Sequence, residues 1–296
     1  MKRIILSILV VLITITTLLL ASCGGDAATT TSTCTHLWNE ANCTTPKTCS
    51  MCGVQEGTPL DHQWKNATCS APKTCERCNQ TEGEVADHNY VNNICTMCQQ
   101  KSPVAIQLEK GQKVFDNLVV VALITGDMSD RILDAWHFSI YEADKKEYLL
   151  NVDKLITDFA SETGLKKDEV IKAIDTYVKS LGFTDDDIDD TMRATVLKNF
   201  EYAVPTVAVL FKNVGTISEM DGYMEEAKKL LDEMSSDYES QTEYTRLKEF
   251  YATVKAFYAC AKSPSGSYNN FSSTVNAYSD DIINLINLLG FVYSNE

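Results

Sequence analysis

Nine cysteines and three histidines fall between residues 34 and 98 of this 296-residue chain. Thiolate sulfur and imidazole nitrogen are the two strongest protein ligands for zinc, and thiols in pairs are also the material of disulfides and of redox sites. Three Cys-x-x-Cys pairs stand at 49–52, 75–78 and 95–98. A 26-residue period maps His36, Trp38, Cys43, Cys49 and Cys52 onto His62, Trp64, Cys69, Cys75 and Cys78. The third unit is shortened: it keeps His88, Tyr90, Cys95 and Cys98 and drops one cysteine. Such repetition marks a small module copied in tandem.

Each unit is too short to bury an apolar core, so a covalent or metal staple must hold it. With Cys34 included, the inventory is twelve ligands, enough for three four-coordinate zinc sites: Cys34, His36, Cys43, Cys49, Cys52, His62, Cys69, Cys75, Cys78, His88, Cys95 and Cys98. Two groupings use them. The favoured one joins Cys43, Cys49 and Cys52 to His62, joins Cys69, Cys75 and Cys78 to His88, and closes Cys34 and His36 onto Cys95 and Cys98. The other keeps each histidine with the three cysteines of its own unit and leaves the third unit one ligand short unless Cys34 folds back to it. Full coordination implies structural zinc, up to three ions, with no open catalytic position. Disulfides are the rival, since Cys260 brings ten cysteines to an even count, but they would not require a histidine at fixed phase in every unit. A redox-active Cys-x-x-Cys is the third reading, and no thioredoxin-like pattern surrounds these pairs. Trp38 and Trp64 are expected to be lids packed over the sites.

Ahead of the repeats, Lys2 and Arg3 precede an apolar run from Ile4 to Leu20, the pattern of a secretory signal. The run ends in Leu20, Ala21, Ser22 and Cys23, which resembles the lipobox of bacterial lipoproteins. That resemblance implies removal of residues 1–22 and a diacylglycerol lipid, palmitate-like chains included, on Cys23. It places the protein on the outer face of the cytoplasmic membrane, with the membrane as one partner. An uncleaved transmembrane anchor is the alternative. Residues 23–33 are small and polar, a tether. The repeats, with "PKTC" at 46–49 and 72–75 and "EG" at 56–57 and 82–83, resemble the Cys/His-rich repeats of surface proteins of Gram-positive anaerobes. That likeness covers about a quarter of the chain and implies a spacer or adhesive stalk. Asn79 departs from it, standing where Gly53 follows the first Cys-x-x-Cys.

The elements that carry this module forward are helical. After the module at 34–102, Pro103 opens an acidic domain, 103–296. Leu133, Trp136 and Ile140 recur at helical spacing, with Ser129 or Asp130 as the expected N-cap. Val170, Ile171, Ile174, Tyr177, Val178 and Leu181 share one face, and Gly182 suits the cap that ends it. Leu247, Phe250, Tyr251, Val254, Phe257, Tyr258 and Ala261 repeat the pattern, and 217–236 and 279–292 read likewise. "FDNLVVVALITG" and "YAVPTVAVLF" read as central helices, the second kinked or broken at Pro205. The expectation is an all-α bundle of six or seven helices behind a small, irregular, zinc-ribbon-like module.

No catalytic residues are assigned there. Asp130, Asp134 and His137 share a helix face, but capping and solvation account for them. Asp185, Asp186, Asp187, Asp189 and Asp190 lack the alternation of a calcium loop and are expected to cap a helix. Cys260 reads as an inert thiol beside the core, and residues 263–273 as a polar loop. The net charge of −15 repels phosphate backbones and argues against nucleic acid as a partner. The sequence thus points to a cell-surface lipoprotein in which a zinc stalk presents a helical domain to an unknown protein or small-molecule ligand. An enzyme with its site between the helices and an extracellular zinc buffer are the alternatives.

Overall fold

The computed structural model describes residues 34–149, 151–234 and 241–293; the expected signal segment and lipobox, Cys23 included, lie outside them. The chain divides into two compact units, the first ending at Asp87 and the second beginning at His88.

The first unit is the same small sheet made twice. β1 (Trp38–Asn39), β2 (Lys47–Cys49) and β3 (Gln55–Glu56) form one antiparallel sheet. β4 (Trp64–Lys65), β5 (Lys73–Cys75) and β6 (Thr81–Glu82) form the next. The register is conserved from one to the other, Trp38 opposite Cys49 and Trp64 opposite Cys75. The most buried side chains here are cysteines, Cys43, Cys49 and Cys75. Strands of two or three residues cannot build an apolar core, so the staple inferred from the repeat length is what this architecture requires.

The second unit opens on the shortened hairpin, β7 (Tyr90–Val91) and β8 (Ile94–Cys95), with Tyr90 opposite Cys95. The hairpin is fastened to the first helix: the Ser102 amide donates to the Asn93 carbonyl at 2.7 Å and its hydroxyl to the Asn93 side chain at 3.1 Å. Ser102 is also the N-cap of that helix, accepting from the Ala105 amide, and Pro103 fills the first helical position.

Eight α-helices follow among the described residues: α1 (Pro103–His137), α2 (Val152–Glu162), α3 (Lys167–Ser180), α4 (Asp190–Lys198), α5 (Phe200–Asn213), α6 (Thr216–Glu233), α7 (Thr242–Lys262) and α8 (Tyr268–Tyr293). The axis is α1, which packs against α5, α6, α7 and α8. Val114, Leu118, Val121, Met128, Ile132 and Ala135 recur every three or four residues (or their sum) along it and are fully buried. From the facing helices, Phe250, Leu247 and Val254 of α7, Met220 of α6 and Leu289 of α8 enter the same core.

Three local expectations change. Ser129 does not start a helix; it lies inside α1, buried, with its hydroxyl donating back to the Thr125 carbonyl at 2.8 Å. Ile140 is exposed although it follows Trp136 by four, because Phe138–Glu142 form a wider π-helical turn that rotates the apolar face onto Phe138 and Ser139. The polar loop is short: α8 begins at Tyr268, where Ser267 accepts from the Asn270 amide and Phe271 is buried. Pro205 lies within α5 without ending it. The acidic run caps as expected, Thr184 with Asp187 in a capping box and Asp189 accepting from the Met192 amide. Gly182 holds a φ of +99° at the end of α3. No helix among the described residues is long and apolar enough to cross a membrane.

Candidate metal centres

Local backbone chemistry first builds the Cys-x-x-Cys turns. The amide of the residue after each pair returns to the carbonyl of its first cysteine: Gly53 to Cys49, Asn79 to Cys75 and Gln99 to Cys95, each at 2.9 Å. This closure puts the following residue in the left-handed region, φ +72° at Gly53, +58° at Asn79 and +61° at Gln99. Glycine adopts it without strain and asparagine at little cost, so the departure at Asn79 preserves the turn. The turn leaves both sulfurs on one side.

The hairpin then supplies the histidine. Pairing of Trp38 with Cys49, continued by the Ser50 amide donating to the Leu37 carbonyl at 2.8 Å, carries His36 to its own Cys-x-x-Cys. Cys52 Sγ lies 3.3 Å from His36 Nδ1, Cys78 Sγ 3.3 Å from His62 Nδ1, and Cys98 Sγ 3.5 Å from His88 Nδ1. All three histidines thus offer the same ring nitrogen. Behind each ring sits an aromatic residue two positions on, with centroid separations of 5.0 Å for Trp38, 4.9 Å for Trp64 and 5.5 Å for Tyr90. Lys47 and Lys73 lie over the two indoles, at 5.2 and 4.7 Å, and pair with Glu56 and Glu82. The tryptophans are lids, as expected, on the ligand rings.

The fourth ligand differs from both groupings expected from the sequence. Cys34 joins His36, Cys49 and Cys52; Cys43 leaves its own unit and joins His62, Cys75 and Cys78. Cys43 sits in the β1–β2 loop, where Asn42 Oδ1 accepts from the Thr44 and Thr45 amides at 2.8 and 2.9 Å. That places it at the far end of the hairpin from Cys49. The Leu60 amide donates to the Asn42 carbonyl at 2.8 Å, pinning the connector beside Cys43 two residues before His62. Cys43 Sγ consequently lies 3.6 Å from Cys75 Sγ. The closure of Cys34 and His36 onto Cys95 and Cys98 does not occur, because Cys34 and His36 are already with Cys49 and Cys52. His88, Cys95 and Cys98 are the members of the third group that lie in the second unit.

Ligand atoms within a group all lie within 4.8 Å of one another. Donors about 2.0–2.3 Å from a tetrahedral zinc are separated by roughly 3.3–3.8 Å, so the sulfur–nitrogen and sulfur–sulfur distances of 3.3 to 3.6 Å suit one ion per group. A disulfide would need about 2.0 Å, and the described cysteines stand as thiols. Without metal, the thiols are unequal. Burial raises Cys49, but hydrogen bonds from His36 and from the Met51 and Cys52 amides outweigh it and bring the thiol down to about 6. Cys75 reaches about 6 the same way, burial being overcome by the Arg77 amide, His62 and the Cys78 amide. The Cys98 amide does most to bring Cys95 to about 6. Conversely, hydrogen bonding to the Cys52 thiol and burial lift Cys34 to about 11, while burial and contact with Cys75 and Cys78 lift Cys43 to about 11. A cation is what brings such a thiol into a shared thiolate cluster.

The helical candidates do not assemble. Asp130 and His137 are exposed, and the His137 ring lies 5.0 Å from that of Tyr141. Asp134 is raised by burial and by the Glu162 charge, and none of the three belongs to a ligand group. Cys260 is half-buried against the core, its thiol raised by burial. Comparison with protein-family models, curated proteins and solved structures gave no match.

Proposed function

We propose that the protein is a lipid-anchored surface protein in which structural zinc holds a repeat stalk and the helical domain does the binding. The observation that carries this reading is the hand-over of Cys43 to the next repeat. A metal in that group ties two repeats together as well as folding one. The repeat assigns Cys69 the same role toward His88, Cys95 and Cys98: one period after Leu60 and Asn42, the Ala86 amide donates to the Thr68 carbonyl at 2.9 Å, two residues before His88. Three Cys3His sites then use all twelve ligands, each thiolate and imidazole committed, with no open position for catalysis. The lipobox at Cys23 supports anchorage to the outer membrane face, and the acidic charge keeps the helical domain apart from nucleic acid.

Native mass spectrometry of the secreted chain, with a thiol count, tests the stalk. The expected result is three zinc ions and no disulfides. Fewer ions together with oxidised cysteine pairs would replace the zinc reading with a disulfide framework. Labelling with a radioactive fatty acid, lost in a Cys23→Ser variant, tests the anchor.

A further inference from the structure

We propose that the helical unit binds a small amphipathic monoanion, one carboxylate on an apolar body, in the groove between α5 and the loop that follows α7. The groove is an open depression of about 750 Å³, room enough for a drug-sized ligand. Its floor is apolar, from Pro205, Ala208 and Val209 of α5 and Ile217 of α6. Its rim carries two lysines and no carboxylate, in a domain whose surface is otherwise rich in acids.

The two lysines are not equivalent. Lys262 Nζ is held 3.1 Å from Asp221 and 4.0 Å over the Tyr258 ring. Lys212, exposed on the last turn of α5, forms no ion pair among the described residues. One uncommitted cation above an apolar floor selects one negative charge on an apolar molecule. The ridge of Pro205, Pro264 and Ser265 separates this groove from a smaller hollow of about 250 Å³ that reaches Trp136, Phe200 and Glu201. The Glu201 carboxylate repels an anionic head from that side. The head therefore sits at Lys212 and the tail lies along the apolar floor of Pro205, Ala208, Val209 and Ile217.

This rests on reading the helical unit as the binding part, and it is independent of the metal sites. The test is isothermal titration of the whole secreted chain with decanoate, and with decanol as the uncharged control. Decanoate should saturate at one per chain and decanol should bind more weakly. Lys212→Glu should weaken decanoate at least about fivefold, the upper range for a solvent-facing charge contact, and leave decanol unchanged. Ala208→Trp, which fills the floor, should abolish both, and Lys212→Glu serves alone if that variant does not fold. The proposal is overturned by the absence of saturable decanoate binding, or by equal affinity in the wild type and Lys212→Glu. In that event, the three-zinc count and an intact stalk would leave the proposed function standing with a different ligand.

Discussion

Substituting Cys43 with serine separates the ligand arrangement seen here from any in which a unit keeps its own cysteines. Cys43 lies six residues before Cys49, yet its sulfur stands 3.6 Å from Cys75 and belongs with His62, Cys75 and Cys78. Serine preserves size and the Asn42-centred turn but removes the thiolate. Structural zinc sites in small modules bind with apparent free energies on the order of 10 kcal/mol. Four donors share that, so losing one weakens its site on the order of a hundredfold. The loss should fall on the second site and leave the first, made by Cys34, His36, Cys49 and Cys52, unchanged.

The tryptophans make the two sites separately visible. Trp38 lies against His36 at a tilt and Trp64 stacks on His62, so each indole reports the metal state of its own ring. In a Trp38→Phe background, competition with a zinc chelator followed by fluorescence reads the second site; in Trp64→Phe it reads the first. Trp136, buried in α1, adds a constant background. Cys43→Ser should move the Trp64 transition to about a hundredfold lower chelator strength and leave the Trp38 transition in place. The opposite result, loss at Trp38 with Trp64 intact, would refute the hand-over and return Cys43 to its own unit.

Four further outcomes follow from the same structure. Cys34→Ser should produce the mirror image, weakening the site read by Trp38 alone. Metal affinity at the first two sites should rise with pH: Cys34 and Cys43 stand near 11 without metal and lose a proton on binding, so proton release measured in buffers of different ionisation enthalpy should be positive at pH 7 and diminish above about 11. Asn79→Ala should cost about 1 kcal/mol in the zinc-bound form while Asn79→Gly is close to neutral, since φ is +58° there; equal melting temperatures would contradict this. Phe250→Ala, in the fully buried core around α1, should cost about 3–5 kcal/mol of helical stability by urea unfolding and leave the zinc count at three.

Much of the helical half was legible because its periodicity is local. The faces of α3 and α7 are read directly from Val170, Ile174 and Val178 and from Leu247, Phe250, Val254 and Phe257. What failed were starts and registers. Ser129 and Asp130 look like a cap, but a buried serine can satisfy itself on the preceding turn, and here it does, letting α1 run 35 residues unbroken. The π-helical turn after His137 leaves no mark in the sequence, so helical spacing alone points Ile140 inward. The shift to Phe138 and Ser139 comes from packing against Phe159 and Tyr148, which only the fold supplies.

The twelve ligands were legible and their partition was not, for a reason visible at the ends of the array. Nearness in sequence favours keeping Cys43 with Cys49, but a hairpin sends its loop and its strand ends in opposite directions, and Cys43 is in the loop. The shortened third unit held the missing signal. Because Tyr90 pairs with Cys95 as Trp38 pairs with Cys49, the cysteine it dropped is the loop cysteine, the one a unit gives away and does not use. The last unit has no successor to receive it. The first unit has no predecessor to receive from, and carries Cys34 two residues before its histidine in compensation. A chain that adds a donor where none precedes, and omits one where none follows, is organised around sharing between neighbours. A metal held by Cys43, His62, Cys75 and Cys78 would therefore both fold the second repeat and fix it to the first.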